Sequence, residues 1–228
     1  METVHPGKRA LAPVPEYPAG PCSYAIGDIH GEVTLLRELI GMLPIRPQDT
    51  VIFLGDYLDR GEDSAATIVT LREFEQRHRC VFLRGNHEVM WLEEWNGSTF
   101  VGHSAMPGAA KTLADFGGAM PPAVGRWLAA THIDYEDEHG LYVHAGLVPG
   151  RSLANTSANH KVWGAPGFGS VPYDWGKPVV FGHWKLPEPF LSPTTIGIDT
   201  GAYTTGILTA IQLPDRTLFQ ADMRTRKS

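Results

Sequence analysis

The sequence predicts an α/β fold with parallel strands, and three observations support this prediction. The first half alternates short apolar runs with amphipathic stretches in the order β-α-β-α-β. A polar loop bracketed by glycines follows each of these apolar runs, and short strand-like runs return after residue 140. Because parallel strands joined by right-handed crossovers end at the same edge of a sheet, the three loops are expected together, where ligands of open α/β sheets bind.

Three strands and two connecting helices are predicted in the first half. The strands lie at 23–26, 51–54 and 80–83. Each is a short apolar run that ends in one of the glycine-bracketed loops. The first helix covers 33–43, where apolar residues recur at helical spacing before Pro44 ends the pattern. The second helix begins at Asp63 or Ser64, since either side chain can cap its first turn.

The second half changes its hydrophobic period. The region 89–134 is predicted to be helical but irregular, because glycines and prolines interrupt it. Short strands are predicted at 141–144, 179–181, 195–198, 206–213 and 217–221. A loop rich in glycine, proline and aromatic residues covers 166–178. Since no linker divides the chain, one domain is expected over 22–228, preceded by a proline-rich N-terminal arm over 1–21.

The composition excludes several classes of partner. The chain has 25 acidic residues against 19 lysines and arginines, a net charge of -6. It therefore lacks the basic surface that non-specific nucleic-acid binding or an anionic membrane requires. No apolar run is long enough to span a membrane, and no signal peptide is recognisable. With only Cys22 and Cys80, reduced thiols and a cytoplasmic location are expected.

Six side chains able to bind a divalent metal stand at the ends of predicted strands. They are Asp28, His30, Asp56, Asn86, His144 and His183. Two carboxylates, one amide oxygen and three imidazoles suit Mn, Fe, Zn or Co better than Ca²⁺. Because six ligands exceed the needs of one tetrahedral zinc, two metals are predicted. A pair about 3.5–4 Å apart suits in-line displacement at phosphorus by a metal-activated hydroxide.

Each of these loops has a simpler structural explanation when it is taken alone. A single histidine is usually structural, and we assign the other histidines outside the loops to that role: His5, His78, His103, His132, His139 and His160. The loops, however, occur as a set, with 23 residues between Gly31 and Gly55 and 23 between Gly61 and Gly85. This repeated spacing matches consecutive β-α units, so we favour a shared site.

The loop sequences resemble the phosphoprotein phosphatase branch of the calcineurin-like metallophosphoesterases, in particular the bacterial serine/threonine phosphatases. The matching motifs are GDIHG at 27–31, GDYLDRG at 55–61, GNHE at 85–88, HAG at 144–146 and GH at 182–183. The resemblance covers about residues 22–213. It implies a four-layer α/β/β/α sandwich, in which two mixed sheets pack face to face with helices outside.

The resemblance also implies a role for each site residue. Asp28 and His30 would bind the first metal, Asp56 would bridge both, and Asn86, His144 and His183 would bind the second. His87 would be the general acid, Asp59 would orient its ring, and Arg60 would grip the phosphate. Asn86, Arg84 and Arg151 are further candidates for phosphate binding. Mn²⁺ is the expected metal, with Fe, Zn, Co or Ni as alternatives, and a metal-bound hydroxide would attack phosphorus directly.

The sequence departs from the family pattern at two places. Relatives usually supply a second phosphate-binding arginine between HAG and GH, often just after a tryptophan. Here Gly164 follows Trp163, and Arg151 is the one arginine in that interval. Trp184 also stands where bacterial relatives commonly have threonine. We therefore expect the phosphate to be held more weakly, or by a different loop.

The motifs determine the reaction type better than the substrate. The complete Asp-Arg-Gly and the glutamate of GNHE favour a serine/threonine phosphatase acting on a phosphorylated protein or peptide, or a small phosphomonoester. The alternative is a nucleotide-directed hydrolase that cleaves dinucleoside polyphosphates such as diadenosine tetraphosphate, or capped RNA ends. Diadenosine tetraphosphate hydrolases often lack Asp-Arg-Gly or carry aspartate in place of Glu88, which counts against this alternative.

An aromatic cluster near the last two ligands supports the nucleotide alternative. Its members are Trp163, Phe168, Tyr173, Trp175 and Trp184. Such rings can stack a base, although packing is the commoner role of aromatic side chains. A metal-binding scaffold without activity is a third hypothesis, which the intact ligands together with Arg60 and His87 disfavour.

Overall fold

The computed structural model describes residues 20–226, so the predicted N-terminal arm lies outside the described residues except for Gly20 and Pro21. The elements in chain order are β1 Ser23–Ile26, α1 Val33–Met42, β2 Thr50–Phe53, α2 Ser64–Glu75, β3 Arg79–Phe82, α3 Asn86–Leu92, α4 Ala109–Asp115, α5 Pro122–Ala129, β4 Asp134–Glu136, β5 Leu141–Val143, α6 Ala158–Trp163, β6 Val179–Phe181, β7 Phe190–Leu191, β8 Thr195–Gly197, α7 Ala202–Thr205, β9 Ile207–Leu213 and β10 Thr217–Asp222, followed by a 3₁₀ helix at Met223–Arg226. Each helix among these residues is too short or too polar to cross a bilayer.

The first sheet contains the predicted β-α-β-α-β unit. Its strand order is β10-β9-β1-β2-β3, with β1, β2 and β3 parallel to one another. Strand β9 runs antiparallel to β1, and a tight hairpin turn at 213–217 connects it to β10. The carboxyl ends of β1, β2 and β3 therefore lie at one edge, as the sequence predicts.

The second sheet is also mixed and has the order β4-β5-β6-β8-β7. Strands β5, β6 and β8 are parallel, while β4 and β7 are antiparallel edge strands. His144 directly follows β5, and His183 follows β6 after one glycine. The two late metal-ligand candidates thus stand at the carboxyl ends of adjacent parallel strands.

Alternate strand residues divide between two apolar layers, because successive side chains of a strand point to opposite faces. One layer joins the two sheets, and its fully buried residues are Ala25, Ile52, Leu54, Leu83, Tyr142, Val180, Ile196, Ile198, Ile211 and Leu213. On the other face of the first sheet, Tyr24 and Ile26 pack with residues of the helices, among them Leu36 and Leu71. Phe168 and Trp175 pack over the outer face of the second sheet. This arrangement confirms the predicted two-sheet sandwich with outer helices.

Four short strands and α-helices were not predicted from the sequence. They are β4, β7, α6 and α7, of two to six residues each. The two residues of β7 are exposed, so they carry no pattern of burial that a period could reveal. The prediction is more successful at α2, where the Asp63 side chain accepts from the Ala66 backbone N–H, so that Asp63 is the cap.

Candidate active site

Two motif glycines leave the space that two site carboxylates occupy. A Cβ atom at Gly85 would lie 2.1 Å from Oδ1 of Asp56. A Cβ atom at Gly182 would lie 2.1 Å from Oδ1 of Asp28. Any larger residue would displace these carboxylates, so the glycines of the motifs are a packing requirement of the site itself.

Five site residues have a backbone in the left-handed region, which residues other than glycine rarely adopt. Their φ angles are +48° at His30, +51° at Asp56, +70° at Asp59, +74° at Arg60 and +62° at His183. Each such conformation costs on the order of 1–3 kcal/mol and persists because the surroundings enforce it. In the described part of the chain one other such residue exists, Arg216 in the last hairpin. Strain is therefore concentrated at the site.

Three side chains bring candidate ligand atoms together at the ends of β3, β5 and β6. Nδ1 of His144 donates to the carbonyl of Leu54, which can only accept, so Nε2 carries a lone pair. That Nε2 lies 3.1 Å from Oδ1 of Asn86 and 3.1 Å from Nδ1 of His183. A nitrogen lone pair and an amide oxygen repel at this distance. The donor set therefore fits a cation bound among the three residues.

A second group of ligand atoms lies beside the first. Nδ1 of His30 donates to the carbonyl of Leu58, which leaves Nε2 facing Oδ2 of Asp56 at 3.4 Å. Ligand atoms of His30, Asp56 and His87 lie within 4.8 Å of one another, and so do those of Asp56, His144 and His183. Asp56 belongs to both groups, which is the position required of a bridging ligand.

Asp28 completes the site from the end of β1. Its carboxylate accepts from the backbone N–H of His183, with both oxygens at 3.0–3.1 Å. Burial, together with the charges of Asp199 and Asp56, raises the pKa of Asp28 well above its usual value. Carboxylates crowded in this way favour a bound cation, since its charge offsets their repulsion.

Burial keeps the candidate imidazole ligands neutral, the form that binds metals. It lowers the pKa of His30 to about 4 and that of His183 to about 4, and it lowers the pKa of His144 as well. Burial alone would raise the pKa of Asp56, but the neighbouring imidazoles reverse this effect and the pKa is lowered. The group at the centre of the site is therefore an ionised carboxylate.

His87 has one ring nitrogen bound and the other free. Nδ1 donates to Oδ2 of Asp59 at 2.6 Å, while Asp59 also accepts from Trp91 and Thr112. Nε2 is buried and has no hydrogen-bond partner among the described residues. Although burial lowers the pKa of His87, the hydrogen bond that it donates to Asp59 and the charge of Asp56 raise the pKa overall. This arrangement suits a proton donor held by Asp59.

Arg60 is held at the same site by a residue that the sequence prediction missed. Its Nη1 donates to the hydroxyl of Tyr203 at 3.1 Å and to Nε2 of His30 at 3.3 Å. The guanidinium carbon lies 4.8 Å from the centre of the Tyr203 ring, and that ring meets His30 edge-on. The cation predicted to bind phosphate is thus beside the candidate ligands. Tyr203 gave no signal because its contacts join residues 143 positions apart.

The other two predicted phosphate ligands are placed differently. The guanidinium of Arg84 donates to the carbonyls of Leu128, Ala129 and Thr131, at the carboxyl end of α5. These bonds satisfy helix-end carbonyls, so Arg84 has a structural role here and not the predicted phosphate contact. Arg151 is exposed, and no described residue forms a hydrogen bond or ion pair with its side chain. The structure brings neither arginine into contact with the metal-ligand candidates.

Glu88 connects two of the motif loops, a role that the sequence prediction did not assign. Its Oε2 accepts from the backbone N–H groups of Asp56 and Gly85, and its Oε1 accepts from that of Tyr57. The side chain is fully buried, and burial raises its pKa to about 7. Glu88 therefore positions the loop of Asp56 without facing a ligand itself.

The predicted aromatic cluster divides into packing residues and an exposed part. Phe168 meets Phe181 edge-on at 4.9 Å between ring centres and packs over the second sheet. Trp184 is 47% exposed, meets His183 edge-on and donates to the carbonyl of Ala145. A cleft of about 320 Å³ is lined by Phe168, Gly169, Phe181, Trp184, Leu186, Phe190 and Thr195. An apolar cleft thus begins one residue after a metal-ligand candidate.

Comparison with known proteins agrees with this geometry. A model of the calcineurin-like phosphoesterase family matches residues 24–195. A symmetrical bis(5'-nucleosyl)-tetraphosphatase of Janthinobacterium sp. (strain Marseille) is 27% identical, over 87% of this chain and 95% of the relative. The asymmetrical bis(5'-nucleosyl)-tetraphosphatase PrpE of Geobacillus thermodenitrificans (strain NG80-2) is 28% identical, over 84% of this chain and 90% of the relative.

Solved structures share the fold. A provisionally named diadenosine tetraphosphatase superposes with a TM-score of 0.70 at 20% identity, covering 89% of this chain and 94% of that one. A protein serine/threonine phosphatase from Saccharomyces cerevisiae gives 0.62 at 14% identity, covering 89% and 78%. At these identities the likeness concerns the fold alone. With the family model matching most of the chain, and the candidate ligands gathered at one edge, this protein belongs to the calcineurin-like phosphoesterase family and is a metal-dependent phosphoester hydrolase.

Proposed function

We propose that this protein hydrolyses dinucleoside polyphosphates such as diadenosine tetraphosphate. The observation that carries the proposal is the apolar cleft that begins at Trp184, directly beside His183. Bis(5'-nucleosyl)-tetraphosphatases that align with most of this chain support it. A nucleotide substrate needs both a site for its phosphates and an apolar surface for a base, and these two surfaces are adjacent here.

The cleft suits a nucleobase better than a phosphopeptide. Trp184 offers a half-exposed ring, and stacking of a base on an aromatic side chain contributes about 1–3 kcal/mol. The cleft is large enough for either a nucleobase or part of a phosphopeptide, but the residues that line it are largely aromatic and aliphatic. A flat aromatic ligand gains more from such a lining than an extended backbone, whose polar groups would lose water without finding partners.

The motif details that favour a protein phosphatase have a different explanation. Glu88 contacts backbone N–H groups of its own loops, so its identity reports loop geometry and not the substrate. Asp59 is occupied with His87, Trp91 and Thr112. Both carboxylates are engaged by groups of the protein itself, so their presence is compatible with both substrate classes. A protein serine/threonine phosphatase remains the second candidate, supported by these motif forms.

Six residues would hold the metals in this proposal. Asp28, His30 and Asp56 would bind one ion, while Asp56, Asn86, His144 and His183 would bind the other. Divalent ions held there supply positive charge at the phosphate and a water activated for attack. Because the donor set mixes carboxylate oxygen with imidazole nitrogen, Mn²⁺ is the expected ion, and Fe, Zn, Co or Ni fit the same donors.

The side chains of the protein have two further tasks in the reaction. Arg60 binds the oxygens of the phosphate under attack, since a guanidinium can donate two parallel hydrogen bonds. His87 donates the proton on Nε2 to the oxygen that leaves phosphorus, while Asp59 keeps the ring oriented. A leaving nucleotide is a weaker base than a leaving alcohol, because the second pKa of a phosphate is about 6. The proton from His87 therefore matters less for a polyphosphate than for an alkyl ester.

A substrate panel tests the proposal. The Mn²⁺-loaded protein is assayed with diadenosine tetraphosphate, a capped RNA, phosphoserine and phosphothreonine peptides and p-nitrophenyl phosphate, and kcat/KM is compared. We expect a preference of at least about tenfold for the dinucleotide, equivalent to 1.4 kcal/mol in the barrier. Higher kcat/KM on the phosphopeptides would establish the protein phosphatase instead. Chromatography of the products distinguishes two ADP from AMP plus ATP.

We retain the cytoplasm as the expected location. Cys22 and Cys80 are both free thiols, Cys22 buried and Cys80 partly buried. Unpaired cysteines are common in reducing compartments. Fractionation of the cells that make the protein checks this expectation.

A further inference from the structure

A second cation, Lys185, shares an aromatic ring with Arg60. Nζ of Lys185 lies 5.8 Å from the centre of the Tyr203 ring, and the guanidinium carbon of Arg60 lies 4.8 Å from the same centre. The distance between the two charged groups therefore cannot exceed the sum of these two distances. Tyr203 also meets His30 edge-on, which puts this cation pair next to the metal-ligand candidates.

The position of Lys185 is built by the fold. A Cβ atom at Gly201 would lie 2.5 Å from Cδ of Lys185, so the aliphatic part of the lysine side chain packs directly on the backbone of that glycine. The following residue, Leu186, donates its N–H to the carbonyl of Asp199. The backbone is therefore held in place close to Lys185. On its carboxyl side Leu186 is bound to Asp199, and on its amino side lies the ligand candidate His183.

The ammonium of Lys185 remains available to an anion. The side chain is exposed, and it forms no hydrogen bond or ion pair with any described residue. Asp199 is the acid whose charge it influences, but that carboxylate is buried and accepts from the backbone N–H of Gly201. A lysine at the rim of a phosphate site, left without a carboxylate partner, is suited to bind phosphate oxygens as a point charge.

We infer that Lys185 and Arg60, arranged around Tyr203, form a subsite for a second phosphate of the substrate, adjacent to the phosphate at the metals. This inference rests on the proposed function, because only a substrate with linked phosphates would use the second position. The subsite makes the enzyme selective for phosphoanhydrides over single phosphoesters. Lys185 is then a specificity residue, which binds a phosphate that is not itself under attack.

Binding of two phosphonates to the Mn²⁺-loaded protein tests the subsite. Isothermal titration compares methylenebisphosphonate, which has two linked phosphonate groups and resists hydrolysis, with methylphosphonate, which has one. Lys185→Met keeps the apolar stem over Gly201 and removes the charge. It should weaken bisphosphonate binding about tenfold, the effect of losing one charged hydrogen bond, and leave methylphosphonate binding unchanged. Lys185→Arg should restore most of the bisphosphonate affinity.

The control is Lys177→Met, which removes the same charge from a lysine paired with Glu136 away from the motif loops. It should change neither titration. An equal loss for both phosphonates in Lys185→Met, or no loss for either, would overturn the subsite. This readout needs no turnover, so it stands even if dinucleotides prove not to be substrates. Conversely, cleavage of diadenosine tetraphosphate with unchanged phosphonate binding in Lys185→Met would leave the proposed function intact and remove the subsite.

Discussion

Oδ2 of Asp59 lies 2.6 Å from Nδ1 of His87, and both side chains are fully buried. Trp91 and Thr112 donate to the same carboxylate, so they hold Asp59 in the position from which it orients the His87 ring. The consequence is a single free ring nitrogen, Nε2 of His87, that is buried near His30 and Asp56. This geometry suits Nε2 of His87 to the proposed transfer of a proton to the leaving group.

Replacing His87 should affect substrates according to their leaving groups. In His87→Ala, kcat for an alkyl phosphomonoester should fall by about 10²–10⁴, the usual contribution of a general acid. For diadenosine tetraphosphate we expect a smaller loss, since the departing nucleotide needs little protonation. Steady-state kinetics at saturating Mn²⁺ measure both values. Full turnover of the alkyl ester, or equal losses for both substrates, would contradict the assignment.

The metal content of the same variant separates proton donation from metal binding. A ring nitrogen of His87 lies within 4.8 Å of ligand atoms of His30 and Asp56. If His87 is the proton donor, elemental analysis of His87→Ala should find as much metal as in the wild type. A loss of metal would make His87 a ligand.

Glu88→Gln should weaken metal binding without touching a ligand. The amide nitrogen of glutamine cannot accept a hydrogen bond. At least one of the three backbone N–H groups that donate to Glu88 would therefore lose its acceptor. The loop of Asp56 would then be less well positioned. Loss of such a supporting contact typically lowers metal affinity about 10–100-fold. Titration of the metal-free variant with Mn²⁺ measures the change, and Glu93→Gln, at an exposed position after α3, is the matched control.

Trp184→Ala tests the cleft beside His183. Removing the ring should lower kcat/KM for diadenosine tetraphosphate by an amount that corresponds to about 1–3 kcal/mol of stacking. The activity on a phosphoserine peptide without aromatic residues should stay within a factor of two or so, because that substrate has no ring to stack. Trp184→Phe keeps an aromatic face and should retain most of the dinucleotide activity. Equal losses on the two substrates would indicate damage to His183 and not loss of a base site.

Asp49 offers a prediction about stability away from the metal site. Its carboxylate accepts from the backbone N–H of Cys22 and from the backbone and guanidinium of Arg46, which connects the start of β1 to the loop before β2. Asp49→Asn should lower the free energy of unfolding at pH 7 by about 1–3 kcal/mol. Urea unfolding monitored by circular dichroism measures the difference from the wild type.

The same variant should show a defined dependence on pH. Burial alone would raise the pKa of Asp49, but the bonds from Arg46 and Cys22 hold it below its usual value. A lowered folded-state pKa stabilises the protein above the unfolded-state pKa of about 3.9, and this stabilisation is lost as the pH falls through the folded value. The difference between wild type and Asp49→Asn should therefore persist at pH 5 and shrink toward pH 3. Asp215→Asn, in the exposed last turn, should show no such difference.

The sequence could predict where the candidate ligands lie, because strand ends are readable along the chain. Asp28, Asp56 and Asn86 each follow an apolar run, and the β-α-β connection forces those runs to be parallel neighbours. His144 and His183 follow the same rule in the second sheet. Which sheet faces which is decided by side-chain packing between the sheets, so the periodicity alone could not reveal it.

The rest of the site depends on contacts between distant parts of the chain. Tyr203 reaches Arg60, and Lys185 reaches Tyr203, through the packing of α7 against the loop after β6. No local pattern marks either residue. Arg84 shows the opposite case, since it stands beside a motif and yet donates to the end of α5. Position next to a motif therefore does not establish a role in the site.

The left-handed backbone of the site has a consequence for engineering. At His30, Asp56, Asp59, Arg60 and His183 the chain adopts a conformation that glycine would accept more readily. Selection for thermal stability alone would favour glycine at these positions, and those substitutions would remove side chains of the active site. Stabilising substitutions that preserve activity must therefore lie in the helices and the outer strands. In the loops, stability favours glycine whereas activity requires the side chains that are present.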